Sequence, residues 1–264
     1  MSVLISFTKT SVLFVTMMIV VLSICLPVVA IGSSAYSSPA PVSILKIKTA
    51  WAGYIVSNIN PGPSIAVQAK WNVPSFNNFC APLVNHNYFQ FDVRIAHISS
   101  TDIGSSLLVG CLGASTVYNI NFYIAGNEVI LPSADVVSAG DQMQTRATLT
   151  VATGAVQVII TDMTASWTFP VAGFETVSTS LPGSVDWRVY GSTHALPMFT
   201  TLKTSGDIAT LGNHHGTLGS FMPISSDKVL QDTMIDSSNG NVLAQPSGIS
   251  KISSSFSVTW KLAS

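Results

Sequence analysis

The sequence predicts an all-β sandwich or barrel. Short runs of alternating or β-branched residues recur along the chain, turn-forming residues separate these runs, and no window keeps a helical apolar pattern with caps. The chain has 264 residues, 47% of them hydrophobic, which is enough for one sizeable core. We therefore expect a single domain in which helix is minor.

The strand pattern is clear in eight segments, namely residues 65–73, 87–95, 106–112, 117–124, 144–151, 155–162, 184–190 and 254–262. Turn signals separate them, including Asn60-Pro61-Gly62-Pro63 and Thr153-Gly154. Lys228 to Ile235 fits either one helical turn or another strand.

The N-terminus carries an apolar run from Ser11 to Gly32, preceded by Lys9 and followed by small residues. This pattern is typical of a secretory signal, although the run is also long enough for an uncleaved membrane anchor. We assign residues 1–35 to this segment, 36–50 to a Ser/Pro-rich leader and 51–264 to the β domain. The domain is then extracellular, either secreted or held at the cell surface, with membrane contact only through the N-terminal segment.

Charged residues make up only 9% of the chain, against roughly 25% in ordinary soluble domains. A surface of uncharged polar groups keeps its hydrogen bonds when carboxylates protonate, so an acidic habitat is one interpretation. The alternative is that low charge marks any secreted β protein rich in Ser and Thr. Beyond residue 35, ten Lys and Arg stand against twelve Asp and Glu without a basic run, which argues against a nucleic-acid partner.

The cysteine count favours a disulfide over a metal site. Cys25 lies in the apolar segment, which leaves Cys80 and Cys111 to pair in an oxidising compartment. The adjacent His214 and His215 fit a turn better than a metal site. The chain also contains no GxSxG, HExxH, phosphate-loop or GxGxxG motif. We expect no metal, no cofactor and a monomer.

Side-chain alternation predicts a polar sheet face. Phe89, Phe91 and Val93 would face the core, as would Val185, Trp187 and Val189. The opposite sides of the two strands then carry Tyr88, Gln90 and Asp92 on one, and Asp186, Arg188 and Tyr190 on the other. If the strands are neighbours, these side chains form a floor suited to an extended ligand.

Asp186 has two interpretations. Arg188 lies two residues further on the same face, so the carboxylate could simply be neutralised in an ion pair. Alternatively, it could exchange protons with a bound substrate as a general acid or base.

Several segments, in this order, resemble the glutamic peptidases, the eqolisin family of secreted acid endopeptidases. WAGYIV at 51–56 is similar to the family's opening WAGY segment, AKWNVPS at 69–75 to its W-x-V-P strand, and YFQFD at 88–92 to its WVGID strand. VDWRV at 185–189 resembles the A-E-W-I strand, VLQDTMID at 229–236 a late acidic segment, and SSFSVTW at 254–260 the last strand.

The resemblance implies two packed antiparallel sheets of jelly-roll, lectin-like shape that cleave peptides in a groove on the concave sheet. The family uses a Glu as general base and acid and a Gln that polarises the carbonyl. The Glu position matches Asp186, one methylene shorter, and the Gln position matches Val109, which cannot donate a hydrogen bond. Gln90 or Arg188 could supply the missing polariser.

The resulting hypothesis is a secreted acid endopeptidase with Asp186, Gln90 and Arg188 as catalytic residues. Tyr88, Asp92, Tyr190 and Trp51 would then contact a polypeptide substrate. The rival hypothesis is a catalytically inactive homologue that binds peptide or carbohydrate on the same face. A structural cell-surface domain is the third, favoured if the N-terminal segment is retained.

Overall fold

The structure is a computed structural model. It describes residues 45–57, 59, 62–76, 79–80, 88–97, 102–124, 127–132, 136–174, 182–191, 199–210, 221–224, 229–250 and 253–261. These residues belong to one compact unit. The assignment of residues 1–35 and the histidine turn at 214–215 lie outside the described residues.

Within these ranges the chain folds almost entirely into β-strands. They are β1 (Leu45–Thr49), β2 (Trp51–Ser57), β3 (Ser64–Asn72), β4 (Phe89–His97), β5 (Ile103–Leu112), β6 (Ser115–Ile124), β7 (Asn127–Ile130), β8 (Gln142–Thr150), β9 (Ala155–Asp162), β10 (Trp167–Phe174), β11 (Pro182–Gly191), β12 (Leu202–Ser205), β13 (Asp207–Thr210), β14 (Met222–Pro223), β15 (Val229–Ile235), β16 (Val242–Pro246) and β17 (Ser255–Trp260).

The strands form two layers. The first sheet has the order β1-β15-β2-β11-β4-β5-β6-β7 and is antiparallel except for the parallel pair β1–β15. In the second sheet β3 pairs with β8 on one side and with β12 and β13 on the other, and β9 and β10 follow β8. β17 pairs with β12, and β16 links β17 to β15 of the first sheet. The predicted all-β sandwich is confirmed.

The core lies between the two layers. Trp71 of β3 packs edge-on against Phe91 of β4, and Phe122 of β6 packs against Phe169 of β10. The indole Nε1 of Trp187 crosses the interface to donate to the backbone carbonyl of Gln68 at 3.1 Å. Such pairings of large buried rings fix how one sheet sits on the other.

The predicted strands fall on strands of the structure, but the structure contains further strands that were not predicted. All eight predicted segments overlap strands, and the undecided residues 228–235 contain strand β15. Leu45–Thr49, which precedes the predicted domain start at Trp51, pairs with β15 along its whole length and so belongs to the sheet.

Two further expectations are confirmed. Cys80 and Cys111 form a disulfide with their Cα atoms 5.6 Å apart. The inward sides of β4 and β11 are those that alternation predicted: Phe89, Phe91, Val93, Val185, Trp187 and Val189 are all buried. Among the described residues, no helix has the length and apolarity required to cross a membrane.

A charged face on the first sheet

Strands β4 and β11 are direct neighbours in the first sheet, so their polar sides lie together. Arg188 is paired with Asp92 on one side and with Gly53 of β2 on the other, and Gly53 is in turn paired with Asp232 of β15. Asp186 is paired with Arg94, and Tyr190 with Gln90. We call the outward-facing set the charged face; it comprises Trp51, Gln90, Asp92, Arg94, Asp186, Arg188, Tyr190 and Asp232.

Asp186 is completely neutralised by two guanidinium groups. Arg94 Nε donates to its Oδ1 at 2.9 Å, and Arg188 Nη2 donates to its Oδ2 at 2.8 Å. The carboxylate is fully buried, while the two arginine side chains stay about 15% exposed and cover it. Both oxygens are therefore engaged from the protein side. The ion-pair interpretation of Asp186 describes this geometry, with a second arginine that it did not include.

Asp92 is also buried, but its hydrogen-bond partners differ from those of Asp186. Gln90 Nε2 donates to its Oδ1 at 2.8 Å, whereas Arg94 Nη1 lies 3.6 Å from Oδ2, beyond hydrogen-bond range. Burial raises the pKa of Asp92 from 3.8 to about 6, although Arg94 and the Gln90 hydrogen bond act to lower it. Asp92 thus forms a carboxyl–amide pair with Gln90 and is protonated in mildly acidic solution.

Asp232 is the third buried carboxylate on this face. Thr49 Oγ1 lies 2.8 Å from both of its oxygens, and Arg188 Nη1 lies 3.9 Å from Oδ2. Burial is the main cause that raises its pKa, opposed by the Thr49 hydrogen bond and by the charge of Arg188. Arg188 consequently lies between two acidic side chains.

Arg94 connects three acids. Besides Asp186 and Asp92, its Nη1 donates to Asp102 Oδ2 at 2.5 Å. Burial alone would lower the pKa of Arg94, but the three carboxylates outweigh it and raise the pKa. The guanidinium therefore stays charged at every accessible pH.

Aromatic rings border the arginines. The Trp51 ring lies 4.5 Å from the guanidinium carbon of Arg188 and 5.2 Å from that of Arg94, within cation–π range. Tyr190 packs on Trp51 with ring centroids 4.5 Å apart, and Tyr88 packs on Tyr190 at 5.5 Å. The three rings are partly exposed and form a platform beside the ionic network.

The structure brings some of the proposed catalytic residues together and separates others. Arg188 contacts Asp186 directly. Gln90 does not, because the β4–β11 register places it opposite Tyr190, four residues along the strand from Asp186. That offset corresponds to roughly 13 Å. Gln90 and Asp186 therefore do not reach a common carbonyl group in this arrangement.

Val109 lies on the other side of the sheet from the charged face. It is fully buried and pairs with the core residue Phe89, while its neighbour Leu108 pairs with Gln90 and is partly exposed. A side chain at position 109 points into the core. An amide there would not serve the outer face, whatever residue occupied the position.

Four contributors to this site were missed from the sequence: Thr49, Arg94, Asp102 and Asp232. For Arg94 the signal was present, since continuing the alternation of Gln90 and Asp92 by two residues reaches it. Asp232 lies mid-strand in a segment whose secondary structure was left open. Thr49 was assigned to the leader, and Asp102 gives no periodic signal because it precedes β5.

These features define the class of protein: an all-β sandwich that carries an ion-pair network on one of its sheets. Solved structures of two glutamic peptidases are similar to this chain. Scytalido-glutamic peptidase with a peptide-based transition-state analogue matches with a TM-score of 0.56 and 15% identity over 80% of this chain and 98% of that one. SCP-B, a member of the eqolisin family in complex with the tripeptide Ala-Ile-His, matches with a TM-score of 0.50 and 14% identity over the same shares.

At these identities the likeness shows the fold alone. No protein-family model matches the sequence, and no curated protein matches it significantly. Glutamic peptidases are thus among the structural neighbours, and the disulfide is compatible with an extracellular location.

Proposed function

We propose that this protein is an extracellular β-sandwich of the glutamic peptidase fold that binds extended polypeptide on its charged face without hydrolysing it through Asp186. The observation that carries this proposal is the double ion pair of Asp186 with Arg94 and Arg188. A general base must be reached by the attacking water, and the Asp186 carboxylate is fully buried with each oxygen bonded to a guanidinium group.

The binding part of the proposal rests on the surface above the acids. Trp51, Tyr88 and Tyr190 offer ring faces, and the arginines offer partly exposed guanidinium groups. Aromatic rings and arginines dominate the energetics of peptide recognition surfaces. The related structures that hold a peptide-based analogue and a tripeptide support peptide as the ligand class.

A second candidate function is endopeptidase activity, favoured by the pair of Asp92 and Gln90. These two groups lie 2.8 Å apart, and the pKa of Asp92 is raised to about 6, so its carboxylate is available as a base above that pH. In this mechanism the ionised Asp92 removes a proton from water as the water attacks the peptide carbonyl. Gln90 Nε2 then donates to the developing oxyanion, and Asp92 returns the proton to the leaving amine.

A cleavage assay separates the two candidates. The mature protein is incubated at pH 3 and at pH 7 with a reduced, carboxymethylated protein, beside the variants Asp186→Asn and Asp92→Asn. The proposal expects no cleavage by any of the three. Cleavage at pH 3 that Asp186→Asn abolishes would overturn it, and cleavage that only Asp92→Asn abolishes would establish the second candidate.

Binding is measured with the same unfolded protein immobilised on a sensor surface. Tyr88→Ala and Trp51→Ala should weaken binding at least roughly tenfold, since each removes a ring of the exposed platform. Phe174→Ala is the matched control, because this phenylalanine is 78% exposed and lies on β10 of the second sheet. Equal losses in all three variants, or no binding by the parent protein, would refute the proposal.

A further inference from the structure

The outer face of the second sheet carries a strip of lysines and hydroxyl groups. On β17 the residues Phe256 and Val258 are buried, so the alternate residues Ser255, Ser257 and Thr259 point outward. Lys203 of β12 lies opposite Ser257, and Gln245 of β16 lies opposite Thr259. This surface shares no residue with the charged face.

Two cavities adjoin one another along this strip. The first, of about 500 Å³, is lined by Lys46 and Lys261, and the second, of about 440 Å³, by Lys70 and Lys203. Ser247 lines both cavities, so they adjoin at this residue. The first cavity also reaches β1 and β15 of the first sheet through Lys46 and Gln231. We call the two adjoining cavities the lysine strip.

The four lysines have no salt-bridge partner among the residues that the structure describes. Within the described part of the chain, no carboxylate lines either cavity. Asp207 is an acidic side chain that interacts with Lys70. Burial raises the pKa of Asp207, and the charge of Lys70 acts to lower it. Since charged side chains make up only 9% of this sequence, four lysines around one depression represent a strong local concentration of positive charge.

The backbone groups of β17 beneath the strip are already paired with neighbouring strands. β17 pairs with β12 on one side and β16 on the other, so it offers no open edge for a peptide strand. A ligand here must be recognised by side chains, which are hydroxyl, amide and ammonium groups. Lys203 lies opposite Ser257, and Lys261 lies four positions further along the chain, an offset of roughly 13 Å, which is too far for one small anion to bridge.

We propose that the lysine strip binds an anionic polysaccharide. Its sulfate or carboxylate groups pair with the ammonium groups, and its hydroxyls exchange hydrogen bonds with Ser255, Ser257, Thr259 and Gln245. A sugar polymer supplies hydroxyl groups beside its charges in each unit, which matches this alternation of Lys and Ser/Thr. The interaction is independent of peptide binding at the charged face.

The test is a binding titration of the mature protein at low salt with dextran sulfate, polygalacturonate, uncharged dextran and poly-glutamate. We expect the two anionic polysaccharides to bind, with affinity that falls as salt is added, and uncharged dextran not to bind. At pH 3 the binding of polygalacturonate should weaken, because its carboxylates are largely protonated there, whereas dextran sulfate should still bind.

The variants identify the surface. Lys203→Gln combined with Lys261→Gln should weaken polysaccharide binding by roughly tenfold or more. Lys48→Gln should leave it unchanged, since this exposed lysine of β1 lines neither cavity. Absence of binding by both anionic polysaccharides, equal loss in the Lys48 variant, or equally tight binding of poly-glutamate would each overturn the proposal.

Discussion

At the scale of single residues, the charged face contains three fully buried carboxylates and two arginines. Asp92, Asp186 and Asp232 are all completely inaccessible, so if ionised they leave one negative charge in excess over Arg94 and Arg188. Below about pH 6 the raised pKa of Asp92 removes this imbalance, because a neutral Asp92 makes the buried set neutral. The three acids therefore have different tasks, and Asp186 is the one committed to the arginines.

Asp186 anchors both arginines, so its truncation should cause a large loss of stability. Asp186→Ala leaves both Arg94 and Arg188 without their main partner, so the free energy of unfolding should fall by about 3 to 5 kcal/mol. Asp102→Asn is the control, because it removes another carboxylate from Arg94 at a side chain that is 29% exposed. That change should cost less than about 1 kcal/mol. Urea denaturation measures both, and similar losses would contradict the anchor role.

The titration of Asp92 predicts how stability changes with pH. Its carboxyl has a pKa of about 6 when folded and 3.8 in the reference state, so between these values the folded protein binds the extra proton. This contribution is complete below about pH 4 and is lost as the pH rises through 6, amounting to up to about 3 kcal/mol.

Asp92→Asn removes the ionisable group and therefore this pH dependence. Relative to the variant, the parent protein should lose stability between pH 3 and pH 7, as measured by urea unfolding at each pH. A difference between the two proteins that stays constant over this range would show that Asp92 does not titrate as described.

At the scale of elements, two glycines allow the charged face to form. A Cβ atom on Gly53 of β2 would lie 2.1 Å from the Trp187 carbonyl oxygen, and one on Gly104 of β5 would lie 2.2 Å from the Val93 carbonyl oxygen. In both cases the atom contacted belongs to the backbone and cannot rotate aside. The absence of side chains here lets β2 and β5 approach the strands that hold Asp186 and Arg94.

Substitution of these glycines should disrupt the sheet. Gly53→Ala and Gly104→Ala should each lower the free energy of unfolding by about 3 kcal/mol or more, because adjacent strands must separate to relieve the clash. Gly110→Ala is the matched control on β5, since a Cβ atom there meets nothing within 4 Å. Thermal unfolding followed by circular dichroism would test the ranking, and a Gly110 variant as unstable as the others would contradict it.

The elements also show what the sequence could and could not predict. Alternation assigned both faces of β4 and β11, because one side of each strand is apolar and the other is polar. It did not identify β1, since a Ser/Pro-rich stretch precedes it and its pairing with β15 is parallel and distant in sequence. The network around Asp186 depends on which strands are neighbours, and side-chain alternation within one strand contains no such information.

At the scale of the whole molecule, the sandwich presents two chemically different surfaces. The charged face carries acids paired with arginines beside aromatic rings, and the lysine strip carries lysines among hydroxyl groups, without a salt bridge to any described residue. Such a distribution fits a protein that holds two kinds of ligand on separate surfaces. Both surfaces depend on a rigid arrangement of long strands, with the Cys80–Cys111 disulfide as a covalent constraint on the first sheet.

The disulfide predicts a measurable dependence of stability on redox conditions. It links Cys80 to the end of β5 across a sequence separation of 31 residues, which restricts the unfolded chain and should stabilise the fold by about 3 kcal/mol. Addition of a reductant should therefore lower the urea midpoint of the parent protein. In the double variant Cys80→Ser, Cys111→Ser, the midpoint should already be lower and should not respond to reductant. If the parent protein unfolds at the same urea concentration with and without reductant, the cross-link does not contribute, and the stability of the sandwich must come from packing between its sheets.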